Sequence, residues 1–187
     1  MPAPPGLAGA VVAFTGCIYV AADVDRDEVL VQLGPDLLSS PSQPAFLAWL
    51  ATAVDGVALN NEVVLAGIGT GTPDGSLEPF PEWRDHERAG HGAVRRRDVS
   101  GWIRSDGGGV VLVGRGMVDR WEVAYEVEPG APAGTGRALA AAALGLVPAG
   151  EPVFAQVAPG HAQSLRAALG AGFRPIGGEV LIIEAHE

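Results

Sequence analysis

The chain contains no lysine: all twelve of its cations are arginines. Schiff-base chemistry and any other reaction that needs a lysine amine are therefore excluded. Twelve arginines against 22 acidic residues leave a formal charge of −10. That balance argues against nucleic acid as a partner, because nonspecific binding needs many phosphate contacts. An acidic surface instead favours a cationic small molecule or peptide, and it is also a common solubility device. The single cysteine, Cys17, makes neither a disulfide framework nor a zinc cluster, which fits a reducing cytoplasm. Long apolar runs are missing as well. The apolar stretch at residues 7–22 is too short and too broken by glycine to span a membrane. No Lys or Arg precedes Arg26, so the cationic flank of a signal peptide is absent from it. We expect a core strand there, a cytoplasmic protein and no membrane partner.

What is present suits a folded domain. At 187 residues, with 48% apolar and 18% charged, the chain can bury a full core. The expected organisation is one domain over residues 1–187, with an N-terminal, substrate-side part at 1–97 and a core at 98–184. Residues 11–20 read as a buried strand, and Asp23 or Asp25 as the cap of a helix ending near Leu33. Residues 45–54 read as a helix around Phe46, Trp49 and Leu50, and residues 60–66 as a strand. The following Gly67-Ile-Gly-Thr-Gly71 is similar to a dinucleotide fingerprint, which needs a helix directly after it. Pro73, Gly75, Pro79 and Pro81 forbid that helix, so residues 67–81 are expected to be an exposed loop. Residues 82–94 read as helical and solvated. His86 and His91 are five apart, off-face for a helical metal pair, so no metal site is expected. Arg95, Arg96 and Arg97 read as a solvated strand start.

From residue 98 the pattern is antiparallel, with strands at 98–104, 110–117 and 121–128 and a turn rich in glycine at 105–109. A strand at 152–157, a helix at 162–169 and a terminal hairpin of 173–177 with 179–184 complete the chain. The stretch at residues 121–146 organises the rest. A β-branched strand, Trp-Glu-Val-Ala-Tyr-Glu-Val127, ends at Pro129-Gly130. The small-residue loop Ala131-Pro-Ala-Gly-Thr-Gly136 then opens a helix whose Leu139, Ala142, Ala143 and Leu146 share one face. A helix start after a glycine loop is an anion site: its first amides lack partners, and the helix dipole adds positive charge there.

These residues resemble the GNAT superfamily of N-acetyltransferases over residues 98–184. Three pieces carry the resemblance. Val127-Glu-Pro129 followed by Gly134-Thr-Gly136-Arg-Ala-Leu139 is similar to the family's pyrophosphate loop. Phe154-Ala-Gln-Val157 followed by His161-Ala-Gln-Ser-Leu165 is similar to its next strand and helix, with His161 where asparagine is usual. Gly172-Phe173-Arg-Pro-Ile176 is similar to the Gly-Phe that closes that helix.

The resemblance implies an α/β fold (mixed α+β). Its central mixed sheet would be mostly antiparallel with a splayed parallel pair, flanked by helices. It also implies acetyl transfer from acetyl-CoA to a small-molecule or peptide amine, with a homodimer left open. Gly134, Thr135, Gly136, Arg137 and Ala138 would hold the pyrophosphate, His161 would touch the cofactor, and the Val127 amide would polarise the thioester carbonyl. Glu122 and Glu126, two apart on one strand face, are the candidate general bases. Two departures from the pattern point the other way: the loop lacks its usual arginine, and Ala168 replaces the tyrosine that often serves as general acid. They define the alternative, a catalytically silent acyl-CoA-binding or interaction protein.

Overall fold

The structure, a computed structural model, describes residues 1–185, and at positions 87, 88 and 91 the backbone alone. In chain order the strands and helices are β1 (Gly9–Phe14), β2 (Cys17–Ala22), α1 (Arg26–Leu33), α2 (Pro44–Ala53), β3 (Gly56–Ala58), β4 (Glu62–Ile68), β5 (Leu77–Pro79), α3 (Glu87–Ala93), β6 (Arg97–Arg104), β7 (Gly109–Arg115), β8 (Trp121–Val127), α4 (Thr135–Gly145), β9 (Pro152–Val157), α5 (Ala162–Gly170) and β10 (Arg174–Glu184). The chain divides into two compact units, Met1–Val63 with the chain from Ile176 onward, and Val64–Pro175.

In the first unit the expected single strand at 11–20 is a hairpin. Gly16, at φ 75°, turns the chain so that Phe14 pairs with Cys17. Asp25 caps α1 through its Oδ1, which accepts from the amides of Asp27 at 2.8 Å and Glu28 at 3.3 Å. Phe46, Leu50 and Ala51 of α2 bury themselves with Val11, Ala22, Leu33 and Ile182. The expected terminal hairpin does not form. β10 runs unbroken through Gly177 and Gly178, which pair with Phe14 and Ala13 of β1. The glycines mark a close approach rather than a turn, since a Cβ on Gly177 would overlap the Ala13 carbonyl oxygen.

The second unit has the strand order β4-β9-β8-β7-β6-β5. The ladders from β5 to β8 are antiparallel and β8 runs parallel to β9, so the sheet is mixed and mostly antiparallel. β7 is buried from Gly109 to Gly114 because both faces are covered. Val110 and Leu112 pack with Trp83 and Ala89, from the short 3-10 turn Pro81–Asp85 and from α3. Leu139 of α4 lies against Gly109 from the other side. Residues 67–81 are not wholly an exposed loop: β5 pairs with β6, and Gly67 and Gly69 are buried.

Candidate functional site

β8 and β9 are in register at two positions, Trp121 with Val153 and Glu122 with Phe154. Beyond them β8 continues to Val127 and β9 to Val157 with no further pair among the described residues. A gap therefore opens between two parallel strands toward their C-terminal ends. The hydrogen-bond parity of β8 decides what faces it. The Glu128 amide donates to the Gly108 carbonyl at 3.0 Å, toward β7. Amides alternate along a strand, so those of Val127 and Tyr125 point to the opposite edge, into the gap.

Past the end of β8 lies the glycine loop. Gly134 is the N-cap of α4 in the left-handed region (φ 94°), and having no side chain it leaves the helix start open. Not every amide predicted to meet an anion is available. Thr135 N donates to Pro132 O at 3.2 Å, and Ala138 N donates to Gly134 O at 3.0 Å. The Thr135 hydroxyl also turns inward, donating to Pro132 O at 2.8 Å. The helix start thus rests on the amides of Gly136 and Arg137 and on the exposed Arg137 side chain. These fit a diphosphate: unbonded first-turn amides, a positive dipole end and one cation. Gly136 has a packing reason too, since a Cβ there would sit 3.3 Å from both Val127 Cγ2 and Ala167 Cβ.

Odd-numbered β8 side chains face α4 and α5. Tyr125 reaches across, its hydroxyl donating to the Ser164 carbonyl in the first turn of α5 at 3.0 Å. Burial pushes this phenol up to about 12. His161 is the N-cap residue of α5, but its exposed imidazole makes no capping bond. Ala168 is fully buried, so its position contributes no polar group.

Even-numbered β8 side chains face α3. Glu122 is buried, with Arg120 Nε donating to Oε1 at 2.7 Å and Arg96 Nε 3.1 Å from Oε2. Both carboxylate oxygens are therefore held by guanidinium groups. Ala124 packs under α3, where a Cβ on Gly92 would touch it. Glu126 is half-buried and sits opposite Val110.

Next along the same face, Glu128 meets His86, with Nε2 2.9 Å from Oε1. His86 Nδ1 accepts the Ala89 amide at 3.3 Å, which places the ring proton on Nε2, toward Glu128. His86 thus caps α3 rather than standing in solvent, a correction to the sequence reading; the His91 side chain lies outside the described residues. Arg96 corrects the solvated arginine run. Only Arg95 and Arg97 of the triplet are exposed, and Arg97 pairs with Asp119 at 2.9 Å.

Sequence reasoning missed Arg96, Tyr125 and the His86–Glu128 pair. Apart from the Gly92 carbonyl that Arg96 also meets, their partners lie 26 to 60 residues away in sequence, and no local spacing encodes them.

The Gly67–Gly71 segment has its amides occupied. Gly69, Thr70 and Gly71 donate to the carbonyls of Glu151, Leu144 and Val147 at 2.8 to 2.9 Å. It packs against the end of α4 and the chain that follows instead of cradling a phosphate. Among the described residues no group of three or more His, Cys, Asp or Glu could hold a metal ion. No helix there is long and apolar enough to cross a membrane.

No family model matches the sequence, and no curated protein does. A solved structure described as a GCN5-related N-acetyltransferase from Kribbella flavida is similar, at 15% identity and a TM-score of 0.46. The similarity covers 75% of this chain and 64% of that one.

Proposed function

We propose that this chain is an acetyl-CoA-dependent N-acetyltransferase acting on a small amine or peptide amine. The observation that carries the reading is the β8/β9 gap, which opens beside an uncapped glycine-loop helix start. The two features meet the two demands of a long anionic acyl donor, a seat for its diphosphate and a cleft for its arm. Bound acetyl-CoA supplies the thioester carbonyl that the amine attacks. The Gly136 and Arg137 amides hold the diphosphate, with Arg137 adding a charge. The Val127 amide, aimed into the gap, donates to the oxygen on which negative charge develops. Tyr125 brings a protonated hydroxyl to the α5 side of the same gap, and it is our candidate to protonate the departing thiolate.

The amine enters from the α3 face, because the donor occupies the α4 and α5 face. Of the two candidate bases, Glu122 is held at both oxygens by arginine and acts as structure. Glu126, two residues on, is the base we assign. A second reading, an acyl-CoA-binding protein without turnover, draws support from buried Ala168 and from α3 lying over Ala124. A thiol-release assay over a panel of amines, with a thermal shift on acetyl-CoA alongside, separates the two. Thiol release with any amine supports transfer; a shift without release supports the silent protein; neither response removes both.

A further inference from the structure

Arg96 spans the β8/β9 gap on the α3 face. Its Nε lies 3.1 Å from Glu122 Oε2 on β8, and its Nη2 donates to Gln156 Oε1 on β9 at 3.0 Å. Its Nη1 donates to the Gly92 carbonyl of α3. One arginine side chain, 12% exposed, thus ties three elements together from the last paired position, Glu122 with Phe154, to Gln156 just beyond it. On the other face Tyr125 is tied to α5 through Ser164. Of the two, only the Arg96 contacts reach from β8 to β9 among the described residues.

We propose that the Arg96–Gln156 bridge is the end wall of the acyl site and restricts the donor to short acyl groups, acetyl above all. The inference rests on the acetyl-CoA reading above and adds to it the residues that limit the length of the acyl group. An acyl chain entering from the α4 side meets a guanidinium whose Nη1 and Nη2 are hydrogen-bonded and whose Nε lies against the Glu122 carboxylate as an ion pair without a hydrogen bond. An acetyl group ends before the wall. A longer alkyl chain must either lie against these polar groups without hydrogen bonding or push the guanidinium off Gln156 and Glu122. The first leaves a buried charge facing methylenes, and the second separates a buried ion pair. Both oppose binding of a long chain, and neither touches the diphosphate seat. Arg96 and Gln156 are therefore specificity-determining residues that act by shape and desolvation.

The test measures affinity for acetyl-, butyryl- and octanoyl-CoA by calorimetric titration, so it needs no acceptor amine. Arg96→Gln risks the fold by leaving Glu122 with one arginine; Gln156→Ala keeps the Arg96–Glu122 pair and opens the wall only on the β9 side. Wild type should prefer acetyl- over octanoyl-CoA by about tenfold or more, and Gln156→Ala should bring the two within about threefold. Gln156→Glu, which keeps an acceptor for Arg96, should retain the preference. Equal binding of the three donors by wild type, a preference unchanged in Gln156→Ala, or one lost in Gln156→Glu overturns the wall while leaving the acetyl-CoA reading standing. A wild type that binds no acyl-CoA overturns both.

Discussion

The Tyr125 hydroxyl donates to the Ser164 carbonyl at 3.0 Å, joining β8 to α5 on the side of the gap where its pairing with β9 has ended. Burial holds this phenol in its neutral form, up to about 12. The native state therefore keeps a proton that the unfolded chain releases above about 10. Below that pH the group adds no pH dependence to stability; above it, stability falls as pH rises toward 12.

The absence of lysine makes this measurable, because the chain has only two tyrosines and its arginines stay charged. Tyr19, the other, is exposed and raised first by a hydrogen bond with Cys17. Ultraviolet titration of tyrosinate should show two steps, the later one near 12 and missing in Tyr125→Phe. A single step for both tyrosines would mean that Tyr125 is not buried as described.

Val118 and Asp119 form the two central residues of the β7–β8 turn, both in the left-handed region at φ 48° and 63°. Asn and Gly suit such a turn, and a β-branched residue is strained there. Val118 is 72% exposed, so replacing it loses little packing. Val118→Asn should raise stability by about 1 kcal/mol, or about 2–4 °C in melting temperature at this chain length. A lower melting temperature would show that the valine makes a contact worth more than the strain.

Much of the core was legible because it is written in local periods. The three antiparallel strands, α4 with its Leu139 stripe, and α5 ending at Gly170 all follow from spacing and punctuation. The parallel pair at Trp121 and Glu122 and its separation afterwards agree with what the resemblance implied. Two failures, the hairpin missed at residues 11–20 and the terminal hairpin that does not form, share one cause: glycine signals either a turn or a close approach, and one sequence cannot tell which. Gly16 makes a turn inside an apolar run, whereas Gly177 and Gly178 lie extended against β1. The Arg96 contacts were illegible for a different reason. Arg95, Arg96 and Arg97 are alike in sequence, and only the fold of α3 onto β8 turns the middle one inward.

Charge reversal at the helix start tests the donor site without disturbing the core. Arg137 is exposed, and its stem rests along Gly170. Arg137→Glu should leave the melting temperature of the free protein within a degree or so of wild type. Its acetyl-CoA affinity should fall about tenfold or more, equivalent to about 1.4 kcal/mol. Gly136→Asp is a harsher probe, since its Cβ would also crowd Val127 and Ala167. If Arg137→Glu binds acetyl-CoA as wild type does, the diphosphate lies elsewhere.

Glu122 and Glu126 share a face of β8, yet their surroundings predict different losses. Removing charge from Glu122 leaves two largely buried guanidinium groups without their carboxylate, so Glu122→Gln should destabilise the fold by about 3–5 kcal/mol. Any fall in its rate should then track the folded fraction. Glu126 is only half-buried, whereas Glu122 is closed off between two arginines. Glu126→Gln should fold with a melting temperature close to wild type and bind acetyl-CoA with similar affinity. Its limiting rate at neutral pH should fall about 10²–10⁴-fold, the usual contribution of a placed base.

The pH dependence supplies the check that a structural role would not meet. A base is needed only while the amine carries a proton, so the Glu126→Gln rate should climb toward wild type as pH rises through the amine's own titration. A Glu126→Gln profile parallel to wild type at every pH would place the base elsewhere. A wild type that binds acetyl-CoA but releases no thiol with any amine would make Glu126 a surface carboxylate of an acyl-CoA-binding protein.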